Sequence, residues 1–198
     1  MLLQEILQHN EQFVANKEYV PYQATKFPSK RMIILTCMDA RLVELIPQSL
    51  NVHNGEAIIL KNAGGMITHP FGSIMRSMVV AIHELQAEEI FVIGHHHCGM
   101  NSVNPKEIFQ KMVGNKVASK ETLSTLEYAG INLHKWLQGF ENVNDMVMEN
   151  INIIHNHPLI PETVPVHGLV IDPDTGKLDL LVDGYTNVHE HSPIDIDD

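Results

Sequence analysis

The chain has 198 residues, 44% of them apolar and 19% charged, which suits one globular domain with a sizeable core. Its formal charge is −11 with histidines neutral, which argues against a surface for nucleic acid or an anionic membrane. The opening MLLQEILQHNEQF puts Gln4 and Glu5 where a secretory signal needs an unbroken apolar run. No stretch approaches the roughly 20 apolar residues of a membrane span, so a soluble cytoplasmic protein is expected.

Residues 2–14 are predicted to form a helix within an N-terminal arm (1–20), docked elsewhere on the chain or on a partner subunit. Three short apolar runs then read as fully buried strands: RMIILTC (31–37), EAIILKN (56–62) and EIFVIGH (89–95). Their continuous aliphatic content fits a parallel sheet covered on both faces. Between them, residues 40–50 and 71–85 repeat apolar side chains at spacings of three and four, as one face of a helix does. The order β-α-β-α-β predicts a doubly wound α/β fold, a mostly parallel sheet flanked by helices. Residues 121–140 and 144–155 are expected to be further helices. The segment VPVHGLVIDPDTGKLDLLVDG then reads as a C-terminal hairpin turning at residues 172–176 and extending the sheet or covering its edge. The acidic end, residues 190–198, is expected to be a solvated tail. No repeat or linker divides the chain, and 1–198 is taken as a single domain.

This topology concentrates the chemically distinctive residues. In open α/β sheets, sites form beyond the carboxyl ends of the strands. Cys37 ends the first strand, KNAGG (61–65) ends the second, and His95 with Cys98 follows the third. A lone cysteine is often just a small buried hydrophobe, but both cysteines of this chain fall at the same sheet edge. As strand turns into helix, residues three apart return to one side, so His95 and Cys98 can aim at one point while His96 and His97 rotate away. With Cys37 they make a Cys2His set, the ligand chemistry of zinc sites that leave the fourth position open. Asp39 and Arg41 follow Cys37 at alternate positions. A carboxylate there can reach the fourth position or accept a hydrogen bond from water bound in it. An arginine can hold that carboxylate in a two-pronged grip.

The motifs Cys37-Met-Asp39-Ala-Arg41 and His95-His-His-Cys98, with KNAGG between them and GHHHCGM (94–100) around the second, closely resemble the β-class carbonic anhydrases. The likeness runs over residues 32–100 and resumes weakly at 166–178, and it is nearest to the small archaeal and bacterial branch. The resemblance implies a β-carbonic-anhydrase-like fold, Zn2+ on Cys37, His95 and Cys98, and a catalytic dyad of Asp39 and Arg41. It further implies a homodimer, often paired into a homotetramer, with sites near the subunit interface. The implied reaction is reversible hydration of CO2 to bicarbonate and a proton through zinc-bound hydroxide. Asp39 would aim the hydroxide, or take the fourth zinc position itself in a closed state. Two departures stand out. His97 occupies a place where relatives often carry a small or acidic residue, and the active-site glutamine of the plant-like branch has no counterpart.

Beyond the motifs, residues Gly64, Gly65 and Met66 are candidate neighbours of the substrate, since glycine lets backbone donors approach closely. Met38, Ala40, Met66 and Ile67 could form an apolar wall or be ordinary core. Proton exit could use any of His53, His69, His83, His96, His97 or His167, with His96 and His97 nearest the ligand. Three other readings remain at this level: hydrolysis of CS2 or COS on the same site, a non-catalytic zinc-binding regulator, and a thiol redox protein.

Overall fold

A computed structural model describes residues 1–130 and 132–189 of the chain. The expected acidic tail, 190–198, lies outside the described residues. Five strands form one sheet: β1 (Met32–Cys37), β2 (Ala57–Asn62), β3 (Glu89–His95), β4 (Val166–Ile171) and β5 (Leu178–Val182). Their order is β2-β1-β3-β4-β5. The first four run parallel, and β5 returns antiparallel to β4. The hairpin therefore extends the sheet. Its turn is held by Asp172, whose carboxylate accepts the amides of Asp174 and Thr175.

Helices cover both faces, as the unbroken aliphatic strands require. On one face Ile33, Leu35, Ile90, Val92 and Val166 pack with Met75, Met78 and Ala81 of α3 (Ser73–Leu85). They also meet Val147, Ile151 and Ile154 of the helix Val143–His155. On the other face Met32, Ile34, Ile93 and Ile171 pack with Leu42 and Ile46 of α2 (Leu42–Ser49). The helix α1 (Leu2–Ala15) buries none of its residues.

Three expectations need correction. β2 is an edge strand and only half buried, with Ile59 exposed, because among the described residues no strand lies beyond it. The helix expected over 121–140 is two pieces, α5 (Lys120–Tyr128) and α6 (Leu133–Leu137). Gly130 breaks it at a φ of 86°, and Asn132 caps a fresh helix by accepting the Lys135 amide. A helix missed in the sequence, α4 (Pro105–Gly114), starts with Pro at its first position and the Asn104 side chain on the Lys106 amide. That Asn-Pro signal was readable. The remaining helices are α7 (Val143–His155), capped by Asn142, and the short α8 (Gly184–His189).

Candidate metal centre

Register brings the strand ends level. Cys37 pairs with Asn62 at the end of β2, and His95 pairs with Ile171 at the end of β4. One residue earlier, the buried Thr36 hydroxyl donates to the Ile93 carbonyl at 2.9 Å and ties β1 to β3 just below the site. After His95 the chain turns sharply. His97 adopts a φ of 54°, a left-handed conformation that reverses the backbone and returns Cys98 toward Cys37. The donor atoms of Cys37, His95 and Cys98 all lie within 4.8 Å of one another, and all three residues are buried.

The donor set suits a metal ion. Nδ1 of His95 donates to the His96 carbonyl at 2.9 Å, which leaves Nε2 as a lone-pair acceptor facing the sulfurs. That Nε2 is buried and has no hydrogen-bond partner. Such an atom is costly to bury unpaired, and a cation between it and the two sulfurs satisfies it. The sulfurs are 3.7 Å apart and both cysteines are free. The Cys98 thiol donating to Cys37 pulls the Cys37 thiol down to about 4, against the effect of burial. The backbone amides of Asp39 and Gly64 assist. Cys98 moves the opposite way, pushed up by its donation to Cys37 and by burial. Cys37 is thus shifted toward the thiolate, the form that ligates metals.

Asp39 sits at the mouth of this triad. Its Oδ2 lies 3.9 Å from Nε2 of His95. Arg41 grips the carboxylate from both sides, with Nε on Oδ1 at 3.0 Å and Nη2 on Oδ2 at 2.8 Å, and the Arg41 amide adds 2.9 Å to Oδ1. The guanidinium hydrogen bonds hold Asp39 well below the usual carboxylate range, so it is an acceptor at any ordinary pH. Nη2 of Arg41 also donates to the His97 carbonyl at 3.0 Å, joining the two motifs directly.

The remaining expected residues are spread more widely. Gly64 and Gly65 adopt φ of 77° and 64°. A Cβ on Gly65 would sit 2.9 Å from the Thr36 carbonyl carbon, so this glycine packs directly on the ligand strand. Ile67 belongs to the core, whereas Met38 is 64% exposed. A cleft of about 730 Å³ opens between the 66–73 loop, α6 and α7. Met66, Ile67, Trp136 and Asn150 line it, and none of Cys37, Asp39, His95 or Cys98 does. Among the histidines, His96 is half buried and His97 exposed beside the triad. His167 lies toward the opposite end of the sheet, bonded to Glu89 and to the Gly184 amide. His83 contacts the Leu159 carbonyl, and His69 accepts the Phe71 amide.

Two supporting residues escaped the sequence reading. Asn62 closes the loop on itself, accepting the Met66 amide and donating to the Met66 carbonyl. Asn150 is a buried amide on the apolar stripe Met146, Val147, Ile151, Ile154 of α7, and that misplaced polarity was the available signal.

A family model described as carbonic anhydrase matches residues 32–178. The crystal structure of a β-carbonic anhydrase, isoform I from Trichomonas vaginalis, superposes with a TM-score of 0.85 at 32% identity. It covers 93% of this chain and 100% of that one.

The chain belongs to the β-carbonic anhydrase family.

Among its family relatives is a Bacillus subtilis protein provisionally named carbonic anhydrase YvdA. It is 52% identical over 192 residues, spanning 96% of this chain and 97% of the relative. A carbon disulfide hydrolase of Acidithiobacillus thiooxidans is 30% identical over 162 residues, 76% of this chain and 72% of that one. The family thus includes proteins named for different substrates.

Proposed function

We propose that this protein catalyses the reversible hydration of CO2 to bicarbonate and a proton at a zinc ion held by Cys37, His95 and Cys98. The observation that carries the reading is the convergence of one imidazole lone pair and two sulfurs, faced by a carboxylate that Arg41 keeps ionised. A zinc ion held by these three residues would supply Lewis acidity at an open fourth position and make a water there more acidic, toward neutral pH.

The protein's own groups do the rest. Asp39 accepts a hydrogen bond from the attacking oxygen and so turns its lone pair toward the carbon of CO2. Arg41 keeps that carboxylate off the metal position by engaging both of its oxygens. His95 keeps its Nε2 lone pair forward because Nδ1 is committed to the His96 carbonyl. Substrate is proposed to approach across Gly64, Gly65 and Met66. Stopped-flow CO2 hydration across pH, with zinc measured on the same sample, tests this. A zinc-loaded protein without turnover would refute it.

A second reading, hydrolysis of CS2 or COS at the same centre, is favoured by the similarity to a carbon disulfide hydrolase. These substrates are linear and electrophilic like CO2, so access to the metal decides between them. Parallel assays with the three substrates separate the readings. We further propose a homodimer or homotetramer acting in the cytoplasm. The exposed Leu2, Leu3, Ile6 and Leu7 of α1 and the two unpaired thiols support this. Light scattering coupled to size exclusion reads the oligomer.

A further inference from the structure

Asn150 is 2% exposed, one of few polar side chains buried among the described residues. Its amide is fully used. Oδ1 accepts the Ile67 amide at 2.8 Å, while Nδ2 donates to the Gly65 carbonyl at 2.8 Å and lies 3.1 Å from the sulfur of Met146. Both backbone partners belong to the loop that follows β2. That loop is conformationally permissive, because Gly64 and Gly65 both have positive φ and glycine alone does not hold such a conformation. The loop also has a definite task. Gly65 lies so close to the end of β1 that a Cβ there would meet the Thr36 carbonyl carbon at 2.9 Å and the Cys37 nitrogen at 3.0 Å.

At the end of the edge strand β2, the Asn62 side chain closes residues 62–66 into a ring. Asn150 is different because it is anchored in α7, packed on the sheet by Val147, Ile151 and Ile154. It grips the loop immediately after Gly64. We propose that Asn150 is a positioning residue of the metal centre, holding the 62–67 loop on the end of β1 so that Gly65 stays packed against the backbone of Cys37. Groups that hold a ligand residue in place without touching the metal set its orientation, and losing such support weakens metal binding.

The inference rests on the reading of Cys37, His95 and Cys98 as metal ligands, not on the identity of the substrate. Its test measures zinc affinity by competition with a chromophoric chelator, and the thiolate-to-metal absorption of the Co2+-substituted protein. Asn150→Asp keeps the shape but sets a carboxylate oxygen against the Gly65 carbonyl, and Asn150→Ala removes both bonds. Each is expected to weaken zinc binding about 10- to 100-fold and shift the Co2+ charge-transfer band. Ile154→Ala, a core deletion on the same helix, is expected to lower Tm with affinity and spectrum unchanged. Unaltered affinity and spectrum in both Asn150 variants would overturn the proposal, as would Ile154→Ala altering them equally. Should neither Asn150 variant fold, hydrogen exchange of the Ile67 amide in the zinc-loaded wild type decides: slow exchange supports the grip of Asn150 on the loop, and exchange at an unprotected rate refutes it. Failure of the metal reading itself is separate, since the wild type would then show no thiolate-to-Co2+ band.

Discussion

Nη2 of Arg41 donates to the backbone carbonyl of His97 at 3.0 Å while the same guanidinium holds Asp39. Arg41 follows β1 and His97 follows β3, so one side chain fixes the mutual placement of both motifs. The unusual residue before the second cysteine is thereby explained without its imidazole. Its exposed ring matters less than the left-handed backbone that aims its carbonyl.

That relationship predicts opposite outcomes for two substitutions at position 97. His97→Asn tolerates a positive φ and should retain the Arg41 contact and near-normal turnover. His97→Ile, β-branched, should cost about 1–2 kcal/mol of stability and lower kcat by disturbing Arg41. Chemical denaturation and CO2 hydration assays on the pair check both parts.

Arg41→Lys keeps the charge but cannot span both carboxylate oxygens and the His97 carbonyl together. The expected result is a fall in kcat/KM of roughly 10- to 100-fold with zinc content intact. Undiminished activity would remove Arg41 from the proposed mechanism.

The same ion pair fixes a pH dependence. Asp39 has its folded-state acidity strengthened by Arg41, so ΔG of unfolding gains from the pair at any pH above the ordinary carboxylate range. That gain shrinks as pH falls below about 4, where the unfolded chain takes up the proton first. Wild type minus Asp39→Asn should therefore show a constant Tm difference from pH 8 to about 5 and a narrowing one below about 4. A difference that instead grew on acidification would contradict the assignment.

The hydrogen bond from Cys98, with two backbone amides assisting, lowers the Cys37 thiol toward the thiolate. Zinc uptake by the metal-free protein at pH 7 should release about one thiol proton, from Cys98, where two ordinary thiols would release about two. A pH-indicator dye in weak buffer reads this directly. Cys37→Ser should abolish both zinc binding and turnover.

Gly65→Ala should be destabilising by about 1–3 kcal/mol, because it combines a positive φ with a Cβ 2.9 Å from the β1 backbone. Denaturant melts give the loss. Zinc content should fall as well, because the end of β1 carries Cys37.

The strands, both main helices of the β-α-β-α-β unit and the hairpin were legible in the sequence, since aliphatic runs and three-four spacing are local signals. Cys37, Asp39, Arg41, His95 and Cys98 were legible too, because strand ends in a parallel sheet share one edge. Where local signals were mixed, the reading failed: residues 121–140 have helical periodicity, but Gly130 and the Asn132 cap divide them. Tertiary structure alone decided which atoms face the metal position, since that depends on the turn at His97 and on the His96 carbonyl that occupies Nδ1 of His95. It alone brought Asn150 onto Gly65 and Ile67, more than 80 residues away in the chain. Periodicity places α7 against the sheet, but only its packed rotation and depth set a side-chain amide within 2.8 Å of a particular loop carbonyl.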